Sequence, residues 1–182
     1  RHHPLTIAPH AAAPGTAGRA RRDPLAWPMP SPPPDPNTAH HAGNTAPATA
    51  AEVDPAFGTF LDLFNRGEFW ESHEALEAAW RATGSEFYHA LILFASAFVH
   101  VRKGNRHGIA AQLGKAEPLF ERRRPHYLGI DVDALLAHSA ICRHLVAENR
   151  DAPDDAWSVL IPIPRIAFDP ARVRGDEPEL DP

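Results

Sequence analysis

Phe69-Trp70-Glu71-Ser72-His73-Glu74-Ala75-Leu76-Glu77-Ala78-Ala79-Trp80-Arg81 is the stretch on which the fold turns. It contains no glycine or proline and reads as a helix of about three to four turns. At about 100° per residue, Phe69, His73, Leu76 and Trp80 share a narrow sector. Glu77 and Trp70 flank that sector, and Glu74 points further away. A histidine thus sits in the middle of an apolar stripe, with a carboxylate one turn on. Buried polar groups need partners, so other parts of the fold must complete this face.

Helical patterns flank the stretch on both sides. Asp54-Pro55 is a start signal, Asp as N-cap and Pro at the first helical position. Phe57, Phe60, Leu61 and Phe64 follow at helical spacing, and Gly67 supplies a left-handed stop. Gly84 and Ser85 separate the second helix from a third, about Glu86 to Arg102, which is apolar on nearly every side and therefore central. Gly104 closes it. A fourth helix is expected from about Arg106 to Glu121, bent or shortened by Pro118. Gly129-Ile130-Asp131 leads into a fifth, which ends near Asn149 and carries Leu135, His138, Cys142, Leu145 and Val146 as its stripe. Gly67 and Gly104 lie 37 residues apart, as do Leu76 and Leu113, a faint internal repeat of helical hairpins.

The expected fold class is all-α. It is a compact bundle of about five helices, built from two antiparallel helical hairpins plus a fifth helix, with a C-terminal extended strap. Residues 1–52 hold eleven of the 20 prolines and many alanines. That composition predicts a disordered tail with polyproline character. Residues 53–150 form the helical domain. Residues 151–182 read as an apolar, proline-broken strap from Trp157 to Ile166, followed by a frayed acidic end.

Composition narrows the function classes. The chain of 182 residues suits one folded domain, and 43% of it is hydrophobic. Eighteen basic against 23 acidic residues leave a net charge of −5, so nucleic acid is not an expected partner. Cys142 is the single cysteine, which excludes an intramolecular disulfide and a cysteine-rich zinc site and fits a cytoplasmic setting. The long apolar uncharged run Phe87 to Val101 is shorter than the roughly 20 residues a membrane helix needs, so no membrane is expected. The N-terminus lacks the apolar run of a secretory signal, and its first residue, Arg1, reads as a fragment or a misplaced start.

From Phe64-Asn65-Arg66-Gly67-Glu68-Phe69 through His73-Glu74-Ala75-Leu76-Glu77-Ala78-Ala79-Trp80, the chain resembles the family of the domain of unknown function 309. These are small all-helical proteins of bacteria and plastids. The family pattern is an Asn-x-Gly turn, His-Glu-x-x-Glu-x-x-Trp, then an apolar helix ending in His before Gly-Asn. His100 and Gly104-Asn105 stand in those last places. The resemblance covers about residues 55–140. It departs at His89-Ala90, where the family commonly has Gln-Gly. It implies a fold and no activity.

The candidate binding residues are His73, Glu77, Trp80 and His100. His73 and Glu77 are four apart and can touch along a helix. Such a pair serves proton transfer or metal ligation, or it is a buried hydrogen-bonded pair that fixes how helices dock. On the latter reading, removing His73 alone leaves Glu77 an uncompensated buried acid. Antiparallel packing brings His100 near the start of the second helix, beside His73, and His89 near its end. Trp70 and Trp80 line a pocket or belong to the core. Glu74 completes a zincin-like near-miss but lacks the second histidine; it is the one candidate catalytic residue, as a base. Arg122-Arg123-Arg124 beside His126 either grips phosphate or is a solvated helix end.

Two functions follow. The first is a non-catalytic binding or interaction module, with no cofactor, that takes an unknown protein or small molecule beside these residues. The alternative is a metal-dependent hydrolase with His73, Glu77 and His100 as ligands to a divalent ion. Composition and spacing do not assign an oligomeric state.

Overall fold

Five helices, each antiparallel to the one before, carry the chain from Pro55 to Glu148. In the computed structural model, which describes residues 53–180, they are α1 (Pro55–Asn65), α2 (Phe69–Thr83), α3 (Glu86–Arg102), α4 (Arg106–Glu121) and α5 (Val132–Glu148). The expected disordered tail, residues 1–52, lies outside the described residues. The all-α expectation holds, and no helix of the described residues is long and apolar enough to cross a membrane.

The helix starts are capped as their sequences dictate. Asp54 accepts from the Ala56 amide at 2.8 Å, Ser85 from Tyr88 at 3.1 Å, Asn105 from Gly108 at 2.9 Å and Asp131 from Ala134 at 2.9 Å. The turns after α1 and α3 share one geometry. Gly67, at φ 80°, donates to Phe64 O while Glu68 N donates to Leu63 O. Gly104, at φ 66°, donates to Val101 O while Asn105 N donates to His100 O. Both are Schellman turns, in which the left-handed residue lets two late amides satisfy carbonyls the helix leaves over. The faint repeat is therefore one turn used twice.

α3 lies at the centre, between α2 and α4, with α1 against α2 and α5 against α4. Its burial on almost every side bears out its all-round apolar sequence. The core is rich in phenylalanine. Phe64 sits 5.1–5.9 Å from the ring centroids of Phe60, Phe69, Phe94 and Phe98. Aromatic rings at such spacings add to the area they bury.

The structure corrects the sequence reading in four places. Helix α4 runs through Pro118 to Glu121 and is not shortened. A two-residue hairpin, β1 (His126–Tyr127) with β2 (Ile130–Asp131), precedes α5. Its turn residues Leu128 and Gly129 both have positive φ, as a tight hairpin with the right strand twist requires. The strap begins not extended but with a 3₁₀ turn at Asp154–Ala156 and a short helix α6 (Trp157–Leu160), which buries Trp157. Beyond it, Ile166 is buried and Phe168 bridges Ile130. Finally, the described end of the chain is not frayed. Glu177 and Glu179 are both buried.

Those two glutamates explain why an acidic end folds back. Glu177 accepts the amides of Arg174 and Gly175 at 2.8–3.1 Å. Burial raises its pKa, but those backbone bonds and the Arg174 charge outweigh burial and hold it below the usual value. Glu179 accepts the Tyr127 hydroxyl at 2.7 Å and that of Ser85, at the start of α3. The charges are therefore desolvated only where donors meet them.

Candidate functional site

Three helices contribute to one polar cluster where the start of α2 meets the end of α3. His73 lies in the first turns of α2 and is 3% exposed. Trp70, one turn earlier, stacks on it at 5.9 Å between centroids and remains 37% exposed. From α3 come Ser96, Val99 and His100, the last 7% exposed. Lys103, the C-cap residue of α3, holds its ammonium 5.7 Å from the Trp70 ring, a cation–π contact.

α4 approaches this cluster through a glycine. A Cβ at Gly108 would lie 2.2 Å from His100 Nδ1, so only glycine lets the imidazole rest on the α4 backbone. One turn later Gln112 is 6% exposed, and its Oε1 is buried with no hydrogen-bond partner in the described chain. His73, His100 and Gln112 line a chamber of about 30 Å³ together with Trp70, Ser96 and Lys103. Beside it a cleft of about 190 Å³ is lined by Phe69, Trp70, Glu71, Val99 and Arg102. Trp70, Val99 and Lys103 line both cavities, so they form the partition between them.

Electrostatics inside the chamber favour neutral imidazole. Burial lowers the His73 pKa and outweighs the pull of Glu77 and Glu74 toward the charged form. Neutral imidazole offers one donor and one acceptor. No carboxylate lines the chamber, and Lys103 is its cation. In the outer cleft, which Glu71 also lines, Arg102 donates to Gly67 O at 3.2 Å and lies over Phe69.

The structure brings together only part of the expected site. His73 and His100 meet as antiparallel packing predicts. Glu77 does not line the chamber; it pairs with Arg81 at 2.5 Å and keeps 18% of its side chain exposed. Trp80 is 3% exposed and stacks on His89 at 4.5 Å, at the other end of α2. Glu74 is exposed. Among the described residues no group of three or more His, Cys, Asp or Glu side chains is placed to hold a metal ion. Of the expected set His73, Glu77 and His100, the two histidines line the chamber and Glu77 does not. The arginine cluster is occupied structurally: Arg122 pairs with Glu86, Arg124 with Glu121 and Asp133, and Arg123 lies over Tyr127. Cys142 is fully buried and its thiol pKa is pushed up to about 12 by burial, as for an inert core residue.

Gln112, Gly108 and Lys103 escaped the sequence reading. A signal for Gln112 was present. Ile109, Gln112, Leu113 and Ala116 follow the i, i+3, i+4, i+7 pattern of a core face, and one member of that face is an amide. Asn65, the first residue of the Asn-x-Gly turn, has a structural task. Its Nδ2 donates to Ile166 O at 2.9 Å and its Oδ1 accepts from Ile166 N at 2.8 Å.

Residues 57–112 match the family model described as Domain of unknown function (DUF309). The match begins in α1 and ends at Gln112, so it takes in every chamber-lining residue named above. No curated protein and no solved structure matches the chain.

Proposed function

We propose that this chain, whose residues 57–112 match the DUF309 family model, is a non-catalytic binding module that takes a small polar molecule at the chamber and cleft beside Trp70. One observation carries this reading. Three polar side chains from three helices, His73, His100 and Gln112, each more than nine-tenths buried, line one cavity that adjoins an apolar cleft. The cavity joins polar groups from three helices to an apolar cleft through the wall formed by Trp70, Val99 and Lys103, the mixed lining of a small-molecule site.

The size of the cavities sets the size of the ligand. Ordinary drug-sized sites span about 300–1,000 Å³. A cleft of about 190 Å³ with a smaller inner chamber suits a molecule of a dozen heavy atoms or fewer. The reading requires no cofactor. A cytoplasmic setting remains our expectation, supported by the single buried cysteine.

Amide and indole NMR spectra of the full chain, titrated with a panel of small acids, alcohols, amides and amines, test the proposal. Saturable shifts of the Trp70 indole and Gln112 side-chain amide with at least one compound support it. If every compound leaves both resonances in place, the site is not a binding site.

A further inference from the structure

The charges around the outer cleft are not balanced from within the described chain. We infer that this cleft selects a small organic anion with an apolar body over neutral and cationic molecules of the same shape. The inference rests on the binding role proposed for the same site and adds the charge of the ligand.

Two cations carry it. Arg102 ends α3, Lys103 caps it, and both line the cleft. Each is held by an aromatic face. The Arg102 guanidinium lies 5.3 Å from the centroid of Phe69, and the Lys103 ammonium 5.7 Å from that of Trp70. Arg102 Nη2 also donates to Gly67 O at 3.2 Å. A Cβ at Gly67 would meet that nitrogen at 2.8 Å, so the turn glycine leaves room for it. Among the described residues neither cation is ion-paired with a carboxylate. Arg66, Arg81 and Arg143, by contrast, each pair with a glutamate. A ring face attracts a cation through its quadrupole but carries no net charge to neutralise it. The two charges are therefore positioned and uncompensated.

Nothing else at the cleft reverses that sign. Glu71 lines it but pairs with neither cation, so two cations against one acid leave a net charge of +1, which suits a monoanion. α2 begins here without a side-chain cap and α3 ends here, so the two helix dipoles present opposite ends and largely cancel. The last carbonyls of α3 do not hold the cations either. The oxygens of Val101 and His100 accept the amides of Gly104 and Asn105. Phe69, Trp70 and Val99 supply the apolar wall for the body of the ligand. At about 190 Å³ the cleft takes a single ring with one charged substituent.

Benzoate, benzamide and benzamidinium have one shape and differ in charge, and acetate keeps the charge without the ring. Titration calorimetry on the full chain should show benzoate binding about tenfold more tightly than each of the others. That factor lies near the lower end of what a hydrogen bond to a charged group contributes. Added salt should weaken benzoate and leave benzamide unchanged. Replacing both cations, Arg102→Met with Lys103→Met, should bring benzoate down to the level of benzamide. Both side chains are exposed, so the fold tolerates the change, and Lys103→Met alone should already remove part of the preference. Glu71→Gln should tighten benzoate. Benzamide or benzamidinium binding as tightly as benzoate would overturn the inference and leave the binding site standing. A benzoate preference that survives the double substitution would overturn it too, because the anion would then sit elsewhere. No saturable shift with any compound, in this series or in the wider NMR panel, removes the binding site itself.

Discussion

The side-chain amide of Asn65 pairs with the backbone of Ile166 as one strand residue pairs with another. It donates to the carbonyl at 2.9 Å and accepts the amide at 2.8 Å, across 101 residues of sequence. The strap is thereby joined to the bundle at the very turn that separates α1 from α2. Asn65→Ala should cost about 1–3 kcal/mol, because both backbone groups of Ile166 lose their partner. Hydrogen exchange at Ile166 should accelerate more than exchange in α3. Asn65→Asp keeps the acceptor but loses the donor, and should fall between alanine and wild type.

Glycine substitutions separate space from propensity. Ala is favoured over Gly in a helix by about 1 kcal/mol. At Gly58 and Gly114 nothing lies within 4 Å of an added Cβ, so Gly58→Ala and Gly114→Ala should each stabilise by about 0.5–1 kcal/mol. At Gly108 the added carbon meets the buried His100 ring at 2.2 Å. Overpacking of that kind costs about 1–3 kcal/mol, so Gly108→Ala should destabilise despite its better propensity. Urea melts of the three variants give the signs directly.

His73 and Glu77 should behave as nearly independent residues. The ion pair of Glu77 is with Arg81, so truncating His73 does not strand a buried acid. The interaction term of the His73→Ala, Glu77→Ala double-mutant cycle should stay below about 0.5 kcal/mol, against the range of about 0.5–3 kcal/mol for residues in one network. A larger coupling would restore the pair that sequence alone proposes.

Three histidines make stability fall on the acid side of neutrality. Burial, the largest cause in each case, lowers the pKa of His73, His89 and His138 from 6.5. In the window between the folded and unfolded values, the unfolded chain binds more protons, so stability rises with pH there. It is fully present above about 6.5 and is lost as pH falls below that value toward the folded pKa values. Thermal melts from pH 7.5 to 5 should show a progressive decline, reduced in a His89→Gln variant. A flat profile would mean that these rings titrate as if solvated. Glu177 acts lower still. Its pKa is depressed from 4.5, so its contribution is present above that value and is lost only as pH falls further.

The end of the chain should be resistant to proteolysis until Glu179 is changed. Glu179→Ala leaves the hydroxyls of Tyr127 and Ser85 without their shared acceptor. The loss should amount to about 1–3 kcal/mol of local docking energy. Cleavage within residues 174–180 should then outpace cleavage within α1–α5. Equal rates in variant and wild type would return the segment to the frayed state its composition implies.

Local chemistry settles each helix and its ends in this protein, because caps, left-handed glycines and apolar periods act within a few residues. Asp54-Pro55, Gly67, Gly84-Ser85 and Gly104-Asn105 each punctuate the chain where the structure does. The order of packing is also legible, since turns this short oblige neighbouring helices to run antiparallel and so set His73 beside His100. Which polar residues share a cavity is not local. Glu77 lies four residues from His73, yet Arg81 at the next helical step captures it. Trp80 lies on the His73 face but a helix end away from the chamber, stacked on His89. Gln112 joins His73 only because Gly108 lets α4 approach His100. The folding back of Glu177 and Glu179 depends on donors supplied by the close of the chain, the β1 hairpin and the start of α3. Periodicity within one helix carries no information about donors on another. The bundle therefore follows from the sequence, whereas membership of the site is decided by the distance between helices.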